Sequence, residues 1–454
     1  MGNDLPFETE TLESMCELVV DCPHFTPKWT DTGVIVLRNQ NIRNGVLDLT
    51  SPSFTNDEGY ESRIKRAVPR AGDIVITREA PMGEVCIIPE GLKCCLGQRQ
   101  VLLRPKKEVS SDYLFWALQS HYVKHQISWN EGTGTTVSNI RIPVLKAFNI
   151  PRWHEKENKI AHHLSTIADK INLNKKTNQT LEKMAQALFK SWFVDFDPVI
   201  DNALAAGTNI SDFPEPLQKR AELRKTVQQS VHAKKLPEDI RKLFPSEFEE
   251  SELGWVPKGW EVGTLSSLTK FSTSRMEGSK LTEDNYISTE NMLPNKGGVY
   301  KASSVPILKT TPSFSSGHIL ISNIRPYFKK IWLANSSGGR SNDVLGFEVI
   351  EPTTNGYLMN LLYQDHFFDY MMTTSKGSKM PRGDKKAIME WGVVVPPIQL
   401  REFYSKLVGK YYEAIPARIK ENNSLVELRN TLLPKLISGE LVIESSQLSM
   451  EALV

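Results

Sequence analysis

Residues 71–81 read AGDIVITREAP, and residues 316–326 read SGHILISNIRP. Gly72 matches Gly317, Ile74 matches Ile319, Ile76 matches Ile321 and Pro81 matches Pro326, each pair 245 residues apart. A glycine, alternating aliphatic residues and a proline describe a strand running into a turn. A chain that carries this unit twice at one spacing is constrained to fold as two similar bodies, each with its own core. The repeat extends further. Residues 33–42 (GVIVLRNQNI) resemble 284–293 (DNYISTENML), both strand-like and followed by Asn-Gly or Asn-Lys-Gly-Gly turn chemistry. Residues 105–121 match 352–366 as a short helix, and 131–151 match 374–396. Two copies of this length are unlike the roughly 20–50-residue periods of solenoids.

Each copy ends in a long helical pattern. Ile160, Leu164, Ile167 and Ile171 are spaced 4, 3, 4, and Leu181, Ala185, Leu188 and Trp192 continue the frame, with Asn174 and Asn178 at the seam positions between them. The second copy has Leu400, Phe403, Leu407 and Tyr411, then Leu425, Leu428 and Leu432. This is the 3.5-residue period of a coiled coil. Residues 155–192, if wholly helical, span about 57 Å. That exceeds the roughly 26 Å width of a 100-residue domain. The helices are therefore expected to leave their domains and pair, antiparallel, within one chain. Pro416 should kink or break the second, and the two asparagines could set register at some expense of stability.

The expected organisation is a globular unit over 1–151, a first spacer helix over 152–194, a connector over 195–253, a second globular unit over 254–396, a second spacer helix over 397–440 and a tail over 441–454. Prolines 198, 214, 216, 237 and 245 break the connector, which holds a basic helical piece (LQKRAELRKTVQQSVHAKK) and an acidic turn.

The chain has 454 residues and a net charge of only +2, so it is no polycation. Charge is local instead. Residues 91–107 hold five basic residues and no acid, and 301–340 hold Lys301, Lys309, Arg325, Lys329, Lys330 and Arg340, again with no acid. Such patches suit a polyanion. No apolar run of 18 residues exists and the N-terminus lacks a secretory pattern, so no membrane span is expected and the expected location is the cytoplasm. The five cysteines, Cys16, Cys22, Cys86, Cys94 and Cys95, show no C-x-x-C spacing. They are expected as buried thiols rather than as disulfides or metal ligands.

Catalytic motifs are missing. There is no G-x-x-x-x-G-K-[ST] phosphate loop and no D-P-P-Y or N-P-P-F tetrapeptide of the kind amino-methyltransferases use. Asp384-Lys385-Lys386 mimics only the end of a P-D…D/E-x-K nuclease centre. His162 and His163 are adjacent on the first helix and face different directions, so they form no metal pair.

The paired halves resemble the specificity (S) subunits of type I restriction–modification systems. NIPRWHEKENKIAHHLSTIADKI and VVVPPIQLREFYSKLVGKYYEAI are each similar to the family's lead-in to a long helix, LGWVPKGWEV (253–262) to its approach to the second recognition domain, and LLPKLISGEL (432–441) to its ending. The first half departs from the pattern, with Pro151-Arg152 in place of a double proline and no LGWVPKGW-type approach. The resemblance implies an α+β chain of two similar α/β target-recognition domains separated by two long helices packed as an antiparallel coiled coil. It implies a non-catalytic reader of an asymmetric, bipartite double-stranded DNA target. The expected partners are two methylation (M) subunits and the restriction (R) subunits. No cofactor is expected in this chain; S-adenosylmethionine, ATP and Mg are expected on the partners. The competing readings are a stand-alone DNA-binding regulator, or a reader fused to an unrecognised nuclease or methyltransferase.

Base edges favour Arg, Lys, Asn and Gln, and phosphates favour Arg and Lys. The candidate DNA contacts are Arg38, Arg43, Lys65, Arg66, Arg78, Thr133, Thr135 and Asn139 in the first domain. In the second they are Arg325, Lys329, Arg340, Lys379, Arg382 and Lys385. The richest stretch is SKGSKMPRGDKK (375–386), whose counterpart GTGTTVSN (132–139) is polar but uncharged. Arg382 is expected at a base, and Lys379 and Lys385 at phosphates.

Overall fold

The computed structural model describes residues 7–129, 139–230 and 236–442. They divide into two compact units, one built from residues 1–174 and 420–454, the other from 175–419.

In the first unit, Glu8–Thr11 pairs antiparallel with Asn149–Arg152 and so ties the two ends of the domain together. An antiparallel sheet follows, in the order Cys16–Asp21, Gln100–Pro105, Ile74–Thr77, Val85–Ile87. Ile74, Val75 and Ile76 are all fully buried, the pattern of a strand covered on both faces. One face carries Tyr113, Leu114 and Trp116 of the helix Ser111–Leu118. A second sheet has the order Cys94–Leu96, Val34–Leu37, Ser53–Thr55, Trp29–Thr30, and its first two strands run parallel.

The second unit repeats the first sheet strand for strand: Thr269–Phe271, Val344–Val349, Ile319–Ser322, Ile331–Leu333. Glu261–Thr264 pairs with Gly392–Val395 as the closing ribbon. The second sheet keeps the parallel pair, here Tyr286–Ile287 with Gly338–Arg340, but extends it differently. In the first unit the remaining strands join Val34–Leu37; in the second they join Gly338–Arg340. Within the hairpins, Ile76 faces Val85 and Ile321 faces Ile331, so Ile331 corresponds to Val85.

The sequence's connector is largely ordered within the second unit. Helices Asp197–Ala205 and Glu215–Gln229 are clasped by Arg220 on Asp197, at 2.7 and 2.8 Å, and by Arg224 on Asp201. The acidic stretch forms a hairpin, Phe248–Ser251 with Gly254–Pro257.

The first long helix is Glu157–Phe193 and the second Ile398–Ser438. The first begins later than the sequence suggested, because Asn149–Arg152 is a strand and His154–Lys156 a short 3-10 turn. Glu157 fixes that start. Its carboxylate accepts the backbone N–H of Trp153 (3.1 Å) and of His154 (3.2 Å), and it pairs with Arg152 at 2.6 Å. The second helix is not broken at Pro416. Proline removes a helical hydrogen bond, yet the helix runs on through it. Asn178 donates to the Ile415 carbonyl at 3.4 Å, and Arg418 to Ala414 at 3.2 Å.

Within each unit the helix segments run antiparallel. In the first unit Asn174 donates to Asn422 (3.0 Å), and Trp153 Nε1 donates to the Ile437 carbonyl (2.9 Å). In the second unit Tyr404 donates its phenol to the Ala185 carbonyl (2.8 Å), while Asn178 meets Ile415. The heptad reading holds for Ile160, Leu164 and Ile171, all buried. It fails at the start of the second helix, where the buried stripe is Leu400, Tyr404 and Val408, with Phe403 and Leu407 only half-buried. The reason is double duty: this segment also covers its own domain, with Ser405 Oγ accepting the Tyr357 N–H at 2.8 Å. A helix facing a domain core follows a wider stripe than a coiled-coil seam. Leu428, predicted at the seam, is 36% exposed.

All five cysteines are buried free thiols. Burial pushes Cys16, Cys86 and Cys94 up to about 12 and Cys95 to about 11. Among the described residues no cluster could hold a metal ion, and no helix is long and apolar enough to cross a membrane.

Candidate nucleic-acid interface

In the second domain three loops meet beyond the end of strand Ile319–Ser322. The hairpin turn after that strand holds Arg325 and Lys329, both left-handed (φ 50° each), around the single 3-10 turn Pro326–Phe328. On one side the Arg325 N–H donates to the Pro381 carbonyl (2.8 Å), and Ile324 bridges to Arg382. On the other, Asn295 and Lys296, also left-handed, donate their N–H groups to the carbonyls of Phe328 and Lys329, both at 2.8 Å. The Asn-Lys-Gly-Gly turn chemistry thus builds one wall of the cluster. The stretch carrying Lys379 and Arg382 ends where Asp384 caps the helix Lys385–Met389, accepting from the Lys386 N–H at 2.9 Å. Gly383 lets this loop close on the strand end, since a Cβ there would meet Asn323 Oδ1 at 2.8 Å.

The first domain places equivalent groups together. Glu79 bridges to Asn139 as Ile324 bridges to Arg382. The Ile140 N–H donates to the Arg78 carbonyl (3.0 Å) as Gly383 does to Asn323 (3.2 Å). Asn139 and Arg382 are therefore counterparts. The Arg78 N–H meets the Arg99 carbonyl as Asn323 meets Asp343, so Arg99 and Asp343 are counterparts too. Their charges are opposite. Arg99 pairs with Glu79 (3.1 Å), and Asp343 pairs with Arg382 (3.2 Å). Behind the rim of each domain a buried asparagine shapes the same turn. Asn41 accepts from Arg38 N–H and donates to the Asp48 carbonyl, and Asn291 accepts from Ser288 N–H and donates to the Tyr300 carbonyl. This sets the repeat one residue away from the register read in the sequence, which aligned Asn41 with Met292.

The sequence candidates separate into groups. Arg325, Lys379 and Lys385 are exposed and, among the described residues, make no ion pair or side-chain hydrogen bond. Arg382 is exposed and paired with Asp343. Lys329 shares Asp365 with Lys296, each ammonium at 2.8 Å; these two hydrogen bonds hold the Asp365 carboxyl below its ordinary range. Arg38 is exposed, lies over the Trp29 ring at 5.2 Å and reaches Ser53 Oγ at 3.4 Å. Arg43 and Lys65 are exposed, and Arg66 is exposed with its guanidinium on the Asp21 carbonyl at 3.2 Å.

Two candidates are corrected. Arg340 is buried, its guanidinium turned onto the carbonyls of Val344 and Ser272 (2.9 Å for the latter), so it serves the sheet interior. Arg78 is buried as well, donating from Nε to Asn139 Oδ1 (3.0 Å) and from a terminal nitrogen to Asp21 (2.6 Å). It orients another candidate instead of reaching outward. Thr133 and Thr135 lie outside the described residues. Sequence reasoning passed over Asn295, Lys296, Tyr327 and Phe328. The run PYFKK, with two aromatics beside two lysines in a turn, was the available signal.

The type I restriction modification DNA specificity domain model matches residues 6–183. The type I restriction enzyme MjaIX specificity subunit of Methanocaldococcus jannaschii is 25% identical, over 82% of this chain and 78% of its own. The HindI specificity subunit of Haemophilus influenzae is 25% identical, over 86% of this chain and 90% of its own. Among solved structures, the S subunit of a type I restriction–modification system from M. genitalium shares the fold, with a TM-score of 0.52 and 17% identity, over 96% of this chain and 97% of that one. The resemblance carried by the lead-in and ending motifs is thereby borne out: residues 6–183 match the type I restriction modification DNA specificity domain, and most of the chain is similar to type I restriction enzyme specificity subunits.

Proposed function

We propose that this chain is the sequence-reading subunit of a type I restriction–modification complex. Each domain presents one loop cluster to a half-site on double-stranded DNA. The observation that carries the reading is the counterpart pair Asn139 and Arg382: one position of a duplicated rim filled with different hydrogen-bonding chemistry. Two readers of like fold and unlike rim chemistry call for two unlike half-sites, hence an asymmetric, bipartite target. The unpaired cations Arg325, Lys379 and Lys385 suit phosphates, which position a protein on a duplex, while Arg382 suits a guanine edge. Arg38, Arg43, Lys65 and Arg66 are exposed cations of the first domain available for the same task. The paired helix segments are the docking surface for two methylation subunits and, through them, the restriction subunits. S-adenosylmethionine, ATP and Mg belong to those partners, and the complex works in the cytoplasm.

The test is methylome sequencing of a host expressing this chain with its neighbouring methylation subunit. A single two-part motif with an unread gap is expected, and exchange of residues 1–151 for those of a relative should change one half only. A change in both halves would argue against independent readers.

A further inference from the structure

Tyr327 and Phe328 sit at the tip of the second domain's hairpin turn, 48% and 37% exposed, with ring centroids 4.7 Å apart. Large apolar side chains are seldom left in water side by side without a use. This pair is also held still. Left-handed Arg325 and Lys329 bracket it, the Pro381 carbonyl anchors it on one side, and the N–H groups of Asn295 and Lys296 anchor it on the other. Lys296 and Lys329 share Asp365 beneath it. The surroundings are cationic, with Arg325 unpaired and Lys330 lying 5.7 Å from the Phe328 ring. The first domain has no such tip. The corresponding turn carries Met82, half-buried against that domain's own core, and Gly83.

We propose that Tyr327 and Phe328 form a wedge that enters a base step of the half-site read by the second domain and partly unstacks it, a step with no equivalent in the other half-site. This rests on the DNA-reading function above. Rigid apolar side chains flanked by cations are what unstacking requires, because the rings replace the lost base–base contact and the cations hold the strained backbone. A protein partner is the alternative occupant, but an aromatic tip beside the unpaired Arg325, with Lys296 and Lys329 sharing a single carboxylate, carries net positive charge and matches a polyanion better.

The test uses the assembled complex and duplexes bearing its methylation motif, with 2-aminopurine placed in turn at each position of both half-sites. Apart from the adenines that the methylation subunits flip in both half-sites, fluorescence should rise at one step of the second domain's half-site. The Tyr327→Ala/Phe328→Ala double variant should abolish the rise and weaken binding by about tenfold, while Tyr327→Phe should keep both. No fluorescence change outside the methylated adenines with the unmodified complex, or unchanged affinity and fluorescence in the double variant, overturns the wedge. A double variant that no longer assembles with methylation subunits assigns the pair to a protein contact and also overturns it. If the unmodified complex showed no sequence-specific duplex binding at all, the underlying DNA-reading function would fail first, which is a separate result.

Discussion

The Nε of Arg78 donates to Oδ1 of Asn139 at 3.0 Å, and Arg78 is itself held by Asp21 at 2.6 Å. A guanidinium can only donate, so the orientation of the Asn139 amide is fixed: Arg78 takes one lone pair of its oxygen, and its NH2 makes no hydrogen bond among the described residues.

An asparagine free at both ends reads adenine bidentately, accepting from N6 and donating to N7. With Arg78 on its oxygen, Asn139 keeps its NH2 as the unpartnered group, which suits an acceptor such as a purine N7, a guanine O6 or a thymine O4. Asn139→Asp should reverse that preference and cost about 1–3 kcal/mol at one base position. Methylome sequencing reads the change directly; an unaltered motif would remove Asn139 from the reading surface.

For the second domain, Arg382→Ala should lose about 1–3 kcal/mol at the matched site and relax one base position. Lys379→Ala should weaken matched and mismatched duplexes alike and lower the salt slope by about one unit. Salt titrations of the assembled complex on both duplexes separate the two behaviours. If Arg382→Ala leaves preference untouched, Arg325 is the next exposed guanidinium to test.

Two asparagines in the first long helix should behave oppositely. Asn174 donates to Glu421 at 2.7 Å and to Asn422 at 3.0 Å, and Asn422 donates onward to the Ile171 carbonyl at 3.3 Å. Asn178 donates at 3.4 Å to Ile415, and its Oδ1 is buried with no partner among the described residues. Asn174→Leu strands the Asn422 oxygen and should destabilise by about 1–3 kcal/mol. Asn178→Leu removes an orphaned acceptor and should be neutral or stabilising. Thermal unfolding of both variants decides it, and equal losses would mean that both amides are well satisfied.

Glu182 gives a pH signature. Its carboxyl is raised by burial, near Tyr363 and Tyr412. A raised acid holds its proton more tightly folded than unfolded. Stability therefore falls as pH rises from the ordinary glutamate range through the folded value, and the full penalty is present above it. Glu182→Gln should thus raise the melting temperature at neutral pH, with the gain vanishing in acid. A gain that persists unchanged at acid pH would rule out ionisation as its cause.

Much of the fold is legible in the chain because a repeat and a heptad are periodic signals. The strands at Ile74 and Ile319, the seam at Ile160, Leu164 and Ile171, and the turns at Asn44 and Asn295 all follow from local pattern. What was not legible depends on distant partners. Beyond Leu400, Tyr404 and Val408 take the buried places expected for Phe403 and Leu407, because a domain lies against them. The second sheets extend from opposite members of the same parallel pair, which strand sequences cannot encode. Arg340 and Arg78 read as surface cations, since an arginine that serves backbone carbonyls or a neighbouring amide has the same letter as one that meets a phosphate.

Asn295, Lys296, Arg325 and Lys329 all keep left-handed backbones that glycine would adopt freely. Each such residue costs about 1 kcal/mol relative to glycine, and all four stand within one cluster of loops. A programme of thermostabilisation guided by melting temperature alone would be drawn to glycine at these positions. It would harvest a hardier scaffold while erasing an amide, two ammonium groups and a guanidinium from the loop cluster proposed to read the target. In this chain the route to greater durability and the route to lost discrimination begin at the same residues.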